Sequence, residues 1–253
     1  MKPSARSAPR RPVRRARGPH AIRRTAGWLG PVLVIAVVAV LIVLGRPSSD
    51  ATPAAPGGQA AGPGEDRANP FAGLARRTPG DPVALGEPDA PVVMLEYSDF
   101  QCPFCRRHAR QVEPRLIREY VDKGLVRIEW RDLPYLGPES RDAAAAARAA
   151  GAQGKFWEYH HALYAEERRV NSGALDDEAL RAAARELGLD LARFDADRAS
   201  AVTTAAIDRD EQEATSMGIT GTPAFIVGGT PIIGAQPFEA FKQAIDKELE
   251  LAR

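Results

Sequence analysis

A chain of 253 residues with a formal charge of +1 has length for one membrane segment and one domain that buries a substantial core. Its two cysteines, Cys102 and Cys105, exclude an all-cysteine zinc centre, and if they do chemistry together no structural disulfide remains to hold the fold. The near-neutral balance hides an asymmetry. Nine of the 34 Lys and Arg residues lie within residues 1–24 and no acid precedes Asp50, which leaves 25 bases against all 33 acids in the remainder. The basic arm has no aromatic residues and no predicted fold, so a nucleic-acid-binding role is not expected.

Residues 1–24 read instead as a basic cytoplasmic tail. From Thr25 to Gly45 no residue is charged and Trp28 to Leu44 is almost wholly apolar, long enough to cross a bilayer as one helix. The positive flank stays inside, which places everything after Arg46 outside the cytoplasm. A cleaved signal peptide is the rival reading, with a permissive stretch at Ala51–Ala55 but an unusually long apolar core. Arg23-Arg24 raises a twin-arginine signal, which the following residues fit poorly. Residues 46–70, rich in Pro, Ala and Gly, read as a flexible linker. The folded domain is expected over residues 71–253.

Within it, Val83-Ala84-Leu85 suggests a short strand, and Val92–Tyr97 a buried strand ending just before the cysteines. Phe104–Asp122 has helical spacing through Val112, Leu116, Ile117, Tyr120 and Val121, with Pro114 expected to kink it. Leu125–Trp130 alternates as a strand, giving a β-α-β unit with parallel strands. A long helical stretch, about residues 138–217, follows: an Ala-rich helix capped by Ser140, a second around Phe156–Tyr164, a third opening at Asp176 and one or two more from Phe194 to Met217. Phe156, Trp157 and Tyr164 are read as core rather than a ligand groove. Ala224–Val227, Gly228-Gly229 and Pro231–Ile233 make a β-hairpin, and Phe238–Leu251 a closing amphipathic helix.

Cys102 and Cys105 sit at the junction between the buried strand and the helix. That position sets the first sulfur beside unpaired N–H groups and the positive end of the helix dipole, which favours its thiolate. Cys105, one turn on, is placed to attack a mixed disulfide on Cys102. Two rival readings are an inert core pair and half of a zinc site completed by His108, His160 and His161. The spacing of those histidines matches no common zinc pattern, and no metal is expected.

Three separated motifs sharpen this reading: Asp99-Phe100-Gln101-Cys102-Pro103-Phe104-Cys105, Gly154-Lys155-Phe156-Trp157-Glu158-Tyr159-His160, and Gly218-Ile219-Thr220-Gly221-Thr222-Pro223-Ala224-Phe225. With them the chain resembles the DsbA-like branch of the thioredoxin superfamily over about residues 80–250. The resemblance implies an α/β thioredoxin fold (β-α-β, then β-β-α) interrupted by an all-helical subdomain and preceded here by the transmembrane helix. It implies a cis Thr222–Pro223 bond facing the cysteines, with Thr222 offering a short backbone edge to a substrate peptide. It also implies a buried acid at Glu96 that relays a proton to Cys105.

DsbA has a histidine where this chain has Phe104, so Pro103 and Phe104 supply apolar contact without a charge, and the thiol shift should be smaller. Thr222 resembles the reductase and isomerase relatives. The expected activity is disulfide formation in cysteine-containing exported proteins, without a cofactor. By resemblance, a quinone-linked membrane partner of the DsbB or vitamin K epoxide reductase type reoxidises the pair. A membrane-tethered reductase or isomerase is the alternative, and a non-catalytic binding or chaperone module a lesser one.

Overall fold

The computed structural model describes residue 69, residue 71 and residues 73–253. The basic tail, the apolar segment 25–45 and nearly all of the 46–70 linker lie outside the described residues, and no helix among the described residues is long and apolar enough to cross a membrane. Five strands form one mixed sheet in the order β1-β3-β2-β4-β5. β2 (Val92–Ser98) and β3 (Val126–Asp132) run parallel at its centre. β1 (Ala84–Leu85) closes one edge against β3, and the hairpin β4 (Ala224–Val227) with β5 (Thr230–Ile233) closes the other, all antiparallel.

The crossover from β2 to β3 is not one kinked helix. α1 (Pro103–Gln111) stops at Val112, α2 (Glu113–Leu116) restarts for one turn, and Ile117–Val121 continues as a π-helical turn. Pro114 explains the break: it has no N–H to give to the preceding turn, and its ring displaces the carbonyl four residues back. The chain then winds wide, with the Asp122 N–H donating to the Ile117 carbonyl five residues earlier at 2.9 Å.

Between β3 and β4 come α3 (Pro138–Gly151), α4 (Phe156–Ala165), α5 (Asp177–Glu186), α6 (Leu191–Arg198) and α7 (Ala201–Ser216). α3 begins at Pro138 with Gly137 as its N-cap, so Ser140 is not a cap. Its hydroxyl is buried and donates to the Asp99 carboxylate at 2.7 Å. The alanines of α3 let neighbouring helices approach closely, and Ala143, Ala146, Ala147 and Ala150 are fully buried with Phe156, Tyr159 and Phe194. α8 (Phe238–Leu251) lies on one sheet face, where Phe241 and Ile245 meet Met94, Ile128 and Phe225. The opposite face packs Val93, Leu95, Tyr97 and Ile226 against Ala214 and Met217.

β3 is covered on both of its faces. Its alternation suggests one solvated face, yet all its residues are buried. Arg127, Glu129 and Arg131 are covered by the segment ahead of β1 and by α7, and they pair among themselves. Glu129 accepts from the backbone N–H groups of Arg76 and Arg77 and from the guanidinium groups of Arg127 and Arg131. Burial alone would push this carboxyl up, but the Arg76 N–H, Arg131 and the remaining donors hold it below the usual range.

Candidate active site

Cys102 is the N-cap of α1, extended at φ −74° and ψ 121°, with Pro103 at the first helical position where a missing N–H costs nothing. The strand end and helix start are joined by a clamped loop. Asp99 accepts from the N–H groups of Gln101 and Leu136 and from the Ser140 hydroxyl. The Gln101 side chain in turn donates to Ser140 and accepts the Asn171 N–H at 2.6 Å. These contacts fix the sulfur's position from β2, α3 and the loop after α4 at once.

Both cysteines are free thiols, and little of either is accessible. The Cys102 thiol is lowered to about 6. The largest cause is a hydrogen bond from the Cys105 thiol, opposed by burial and assisted by Thr222 and by the backbone N–H groups of Cys105 and Phe104. Cys105 shifts well upward, first because it is fully buried and then because it faces the Cys102 sulfur. One sulfur thus carries the negative charge and the other keeps its proton, the asymmetry that separates an attacking thiol from a resolving one.

The Thr222–Pro223 peptide is cis, and the Thr222 carbonyl lies 3.3 Å from Cys102 Sγ. On this side of the sulfur a groove of about 660 Å³ is lined by Phe104, Tyr135, Ile219, Pro223 and Ile233 among others. Phe104 is 53% exposed, Pro103 is exposed beside it, and Ile233 is 67% exposed. An apolar rim next to a backbone edge suits an extended peptide, whose main chain pairs while its side chains find pockets.

Glu96 lies on β2, opposite Trp130 and Phe225, fully buried with no hydrogen-bond partner for either carboxylate oxygen among the described residues. Burial, then the charge of Glu113, raises it well above the usual carboxyl range. Ser98 influences both Glu96 and Cys105 by favouring their charged forms, and its hydroxyl is 3.3 Å from that of Tyr164. A carboxyl whose neutral form is favoured by burial is therefore held in the same buried region as the Cys105 thiol.

Sequence reasoning did not single out Ser98, Asn171 or Glu113. Ser98 carried a signal, since it shares with Glu96 and Met94 one side of β2. Asn171 and Glu113 gave none, because only the folded chain brings them near.

Three histidines lie close to this region. His108, between the Phe225 and Phe241 rings, has its Nε2 3.9 Å from Glu96 Oε2. His160 and His161 meet Glu113, with Nε2 distances of 3.6 Å to Oε2 and 2.8 Å to Oε1. Burial lowers His108 and His160 to about 4, so both are neutral at physiological pH. Phe156 and Tyr164 are buried in the core, with Trp157 packed against them.

The geometry agrees with the relatives of the chain. A family model described as Thioredoxin matches residues 78–247. The chain is 32% identical over 171 residues to the probable disulfide bond formation protein D of Bacillus cereus, covering 66% of this chain and 78% of that protein. It is also 38% identical over 170 residues to the Na(+)/H(+) antiporter NhaA 3 of Salinispora tropica, but this spans only 25% of that much longer protein. Among solved structures, a thioredoxin-like oxidoreductase from Silicibacter pomeroyi superposes with a TM-score of 0.62 at 31% identity, covering 72% of this chain and 99% of that one. BdbD from Bacillus subtilis superposes with a TM-score of 0.62 at 24% identity, covering 68% of this chain and 94% of that one, a likeness of fold. The chain belongs to the thioredoxin family and is a DsbA-like thiol–disulfide oxidoreductase.

Proposed function

We propose that this oxidoreductase is membrane-tethered, works outside the cytoplasm, and forms disulfides in exported proteins through Cys102-Pro103-Phe104-Cys105. The observation that carries the reading is the opposed shift of the two thiols, Cys102 down to about 6 and Cys105 upward. In the oxidised enzyme a substrate thiolate attacks Cys102 Sγ and the Cys102–Cys105 bond breaks. The two electrons of that bond leave on Cys105, which takes a proton from the Glu96 carboxyl. A second substrate thiolate then attacks the substrate sulfur of the mixed disulfide and expels Cys102 as its stabilised thiolate. The substrate loses two electrons and the enzyme gains them. Thr222 and Pro223 hold the substrate strand, and Phe104 and Pro103 form its apolar seat.

The tether rests on the uncharged segment 25–45 and the basic residues before it. A cleaved, secreted form would place the same domain in the same compartment. A membrane quinone-linked partner, of the DsbB or vitamin K epoxide reductase type, would return the pair to the disulfide. No organic cofactor is needed, because the sulfurs carry the electrons themselves.

A specific observation also favours the reverse flow. Phe104 offers neither charge nor donor to the thiolate, so Cys102 is depressed less than in the strongest oxidants of the family, where the thiol lies near ~3.5. The equilibrium reduction potential of the full chain against glutathione buffers separates the two. A lower thiol pKa stabilises the reduced form and raises the potential, so a value above about −180 mV is expected, between protein disulfide isomerase and DsbA. A value at or below that, toward the ~−270 mV of thioredoxin, would make it a reductase.

A further inference from the structure

We propose that Glu113, His160 and His161 form a binding site for a borderline divalent transition-metal ion such as Zn2+, joining the thioredoxin motif to the helical insertion. Glu113 opens α2, immediately after the break at Val112, and the two histidines are consecutive on α4. One donor atom from each residue lies within 4.8 Å of the others. Bonds of about 2.0–2.2 Å to a tetrahedral zinc hold neighbouring donors about 3.3–3.5 Å apart. The His160 Nε2 to Glu113 Oε2 distance of 3.6 Å already fits, and His161, whose Nε2 is now 2.8 Å from the other oxygen Oε1, has to exchange that contact for one to the ion, with the three donors within 4.8 Å of one another. His161 is able to make that exchange, since its side chain is 47% exposed.

A simple ion pair leaves part of the cluster unexplained. The bond between His161 and Glu113 Oε1 uses one carboxylate oxygen. Glu113 Oε2 and both ring nitrogens of His160 are buried without a hydrogen-bond partner among the described residues. Leaving such groups unpaired carries their full desolvation cost. A cation bound by Oε2 and His160 Nε2 would satisfy two of them. The His160 ring is held by Phe100, Trp130, Trp157 and Tyr164, with centroids 4.9–6.0 Å away, so its donor is preset.

Two imidazoles and one carboxylate are the donor set of zinc sites that keep an open fourth position. The exposed edge of His161 gives a solvent ligand access to that position. Calcium and magnesium prefer oxygen donors and are poor fits. The break at Pro114 gains a purpose here, because it starts a new turn with the Glu113 carboxylate facing α4.

The test titrates Zn2+ into the oxidised full chain, freed of metal by a chelator, and follows heat by calorimetry. Oxidation matters because a Cys102–Cys105 disulfide offers no thiolate to the ion. One ion per chain is expected, with at least about tenfold weaker binding in His161→Ala, since even outer-shell substitutions at metal sites cost that much. His161→Gln retains a donor to Glu113 while removing the imidazole, and should weaken binding equally if His161→Ala misfolds. Co2+ should give visible d–d bands without sulfur charge transfer, and Zn2+ should raise the thermal midpoint of the parent chain by more than that of either variant at the same metal concentration. Absence of saturable binding to the oxidised protein overturns the site. So does binding that both His161 variants leave unchanged, because the ion would then sit elsewhere.

Discussion

At Cys102 two effects of opposite sign meet: burial disfavours a charged sulfur, and the Cys105 thiol, two helix N–H groups and the nearby Thr222 side chain favour it. The second set wins, which sets a measurable window. Iodoacetamide labelling of the reduced chain at Cys102 should rise with pH through a midpoint near 6, with Cys105 unlabelled throughout. A midpoint near 9, the ordinary thiol value, would remove the physical basis for a good leaving sulfur. Glu96→Gln tests the proposed relay independently, because an amide keeps the shape and cannot exchange a proton. Release of Cys105 from the disulfide should slow about a hundredfold near neutral pH, as loss of a general acid does, while the Cys102 labelling midpoint stays put. Equal rates in the two proteins would leave Glu96 without a part in proton transfer. Cys102 and Cys105 were legible in the sequence because their spacing is itself the signal, whereas Thr222 and Pro223 were legible only through the resemblance of their motif to the family's. Asn171 and Glu113 act through contacts made only after folding, and spacing says nothing of those, while the alternation of β2 already set Ser98 on the side of Glu96.

The same division holds among the elements. Hairpin β4–β5 and helix α8 announce themselves through period and turn chemistry, and their bounds follow the apolar residues closely. The β3 strand shows where a pattern runs out: alternation marks which side chains share a face, but not what covers that face. Here Glu129 is covered and surrounded by Arg127, Arg131 and two backbone N–H groups. Removing one member of a buried charged set leaves the others unpaired, which costs more than the set contributes. Glu129→Gln should therefore lower unfolding free energy by about 3 kcal/mol, read from the urea midpoint. The folded carboxyl lies below its unfolded value, so the stability it supplies is full above the unfolded pKa of ~4.3 and is lost as pH falls through the folded one. A variant within experimental error of the parent at neutral pH would mean that the arginines find other partners.

On the scale of the whole molecule, the active-site end is built over an unusual reserve of buried titratable groups: Glu96, His108, Glu113 and His160 are each fully buried. His108 shows what this costs. It sits between Phe225 and Phe241, with Glu96 at 3.9 Å, and Glu113 and His160 are the charged or titratable neighbours that also act on it. Burial outweighs the attraction of Glu113 and lowers it from 6.5 to about 4. The unfolded chain takes up this proton near pH 6.5 and the folded chain only near pH 4, so between those values the unfolded state binds more protons. Stability then falls as pH drops through that window, by about 2 kcal/mol at pH 5 from this residue alone. His160, lowered in the same direction, adds a similar slope. His108→Leu keeps the slot between the two phenylalanines filled and removes one of the two titrations. Urea midpoints of parent and variant, measured with a chelator present from pH 8 to pH 4.5, should converge on acidification as the variant loses only about half as much stability. Parallel curves would show that His108 titrates alike in the folded and unfolded chains, so that burial does not hold it neutral.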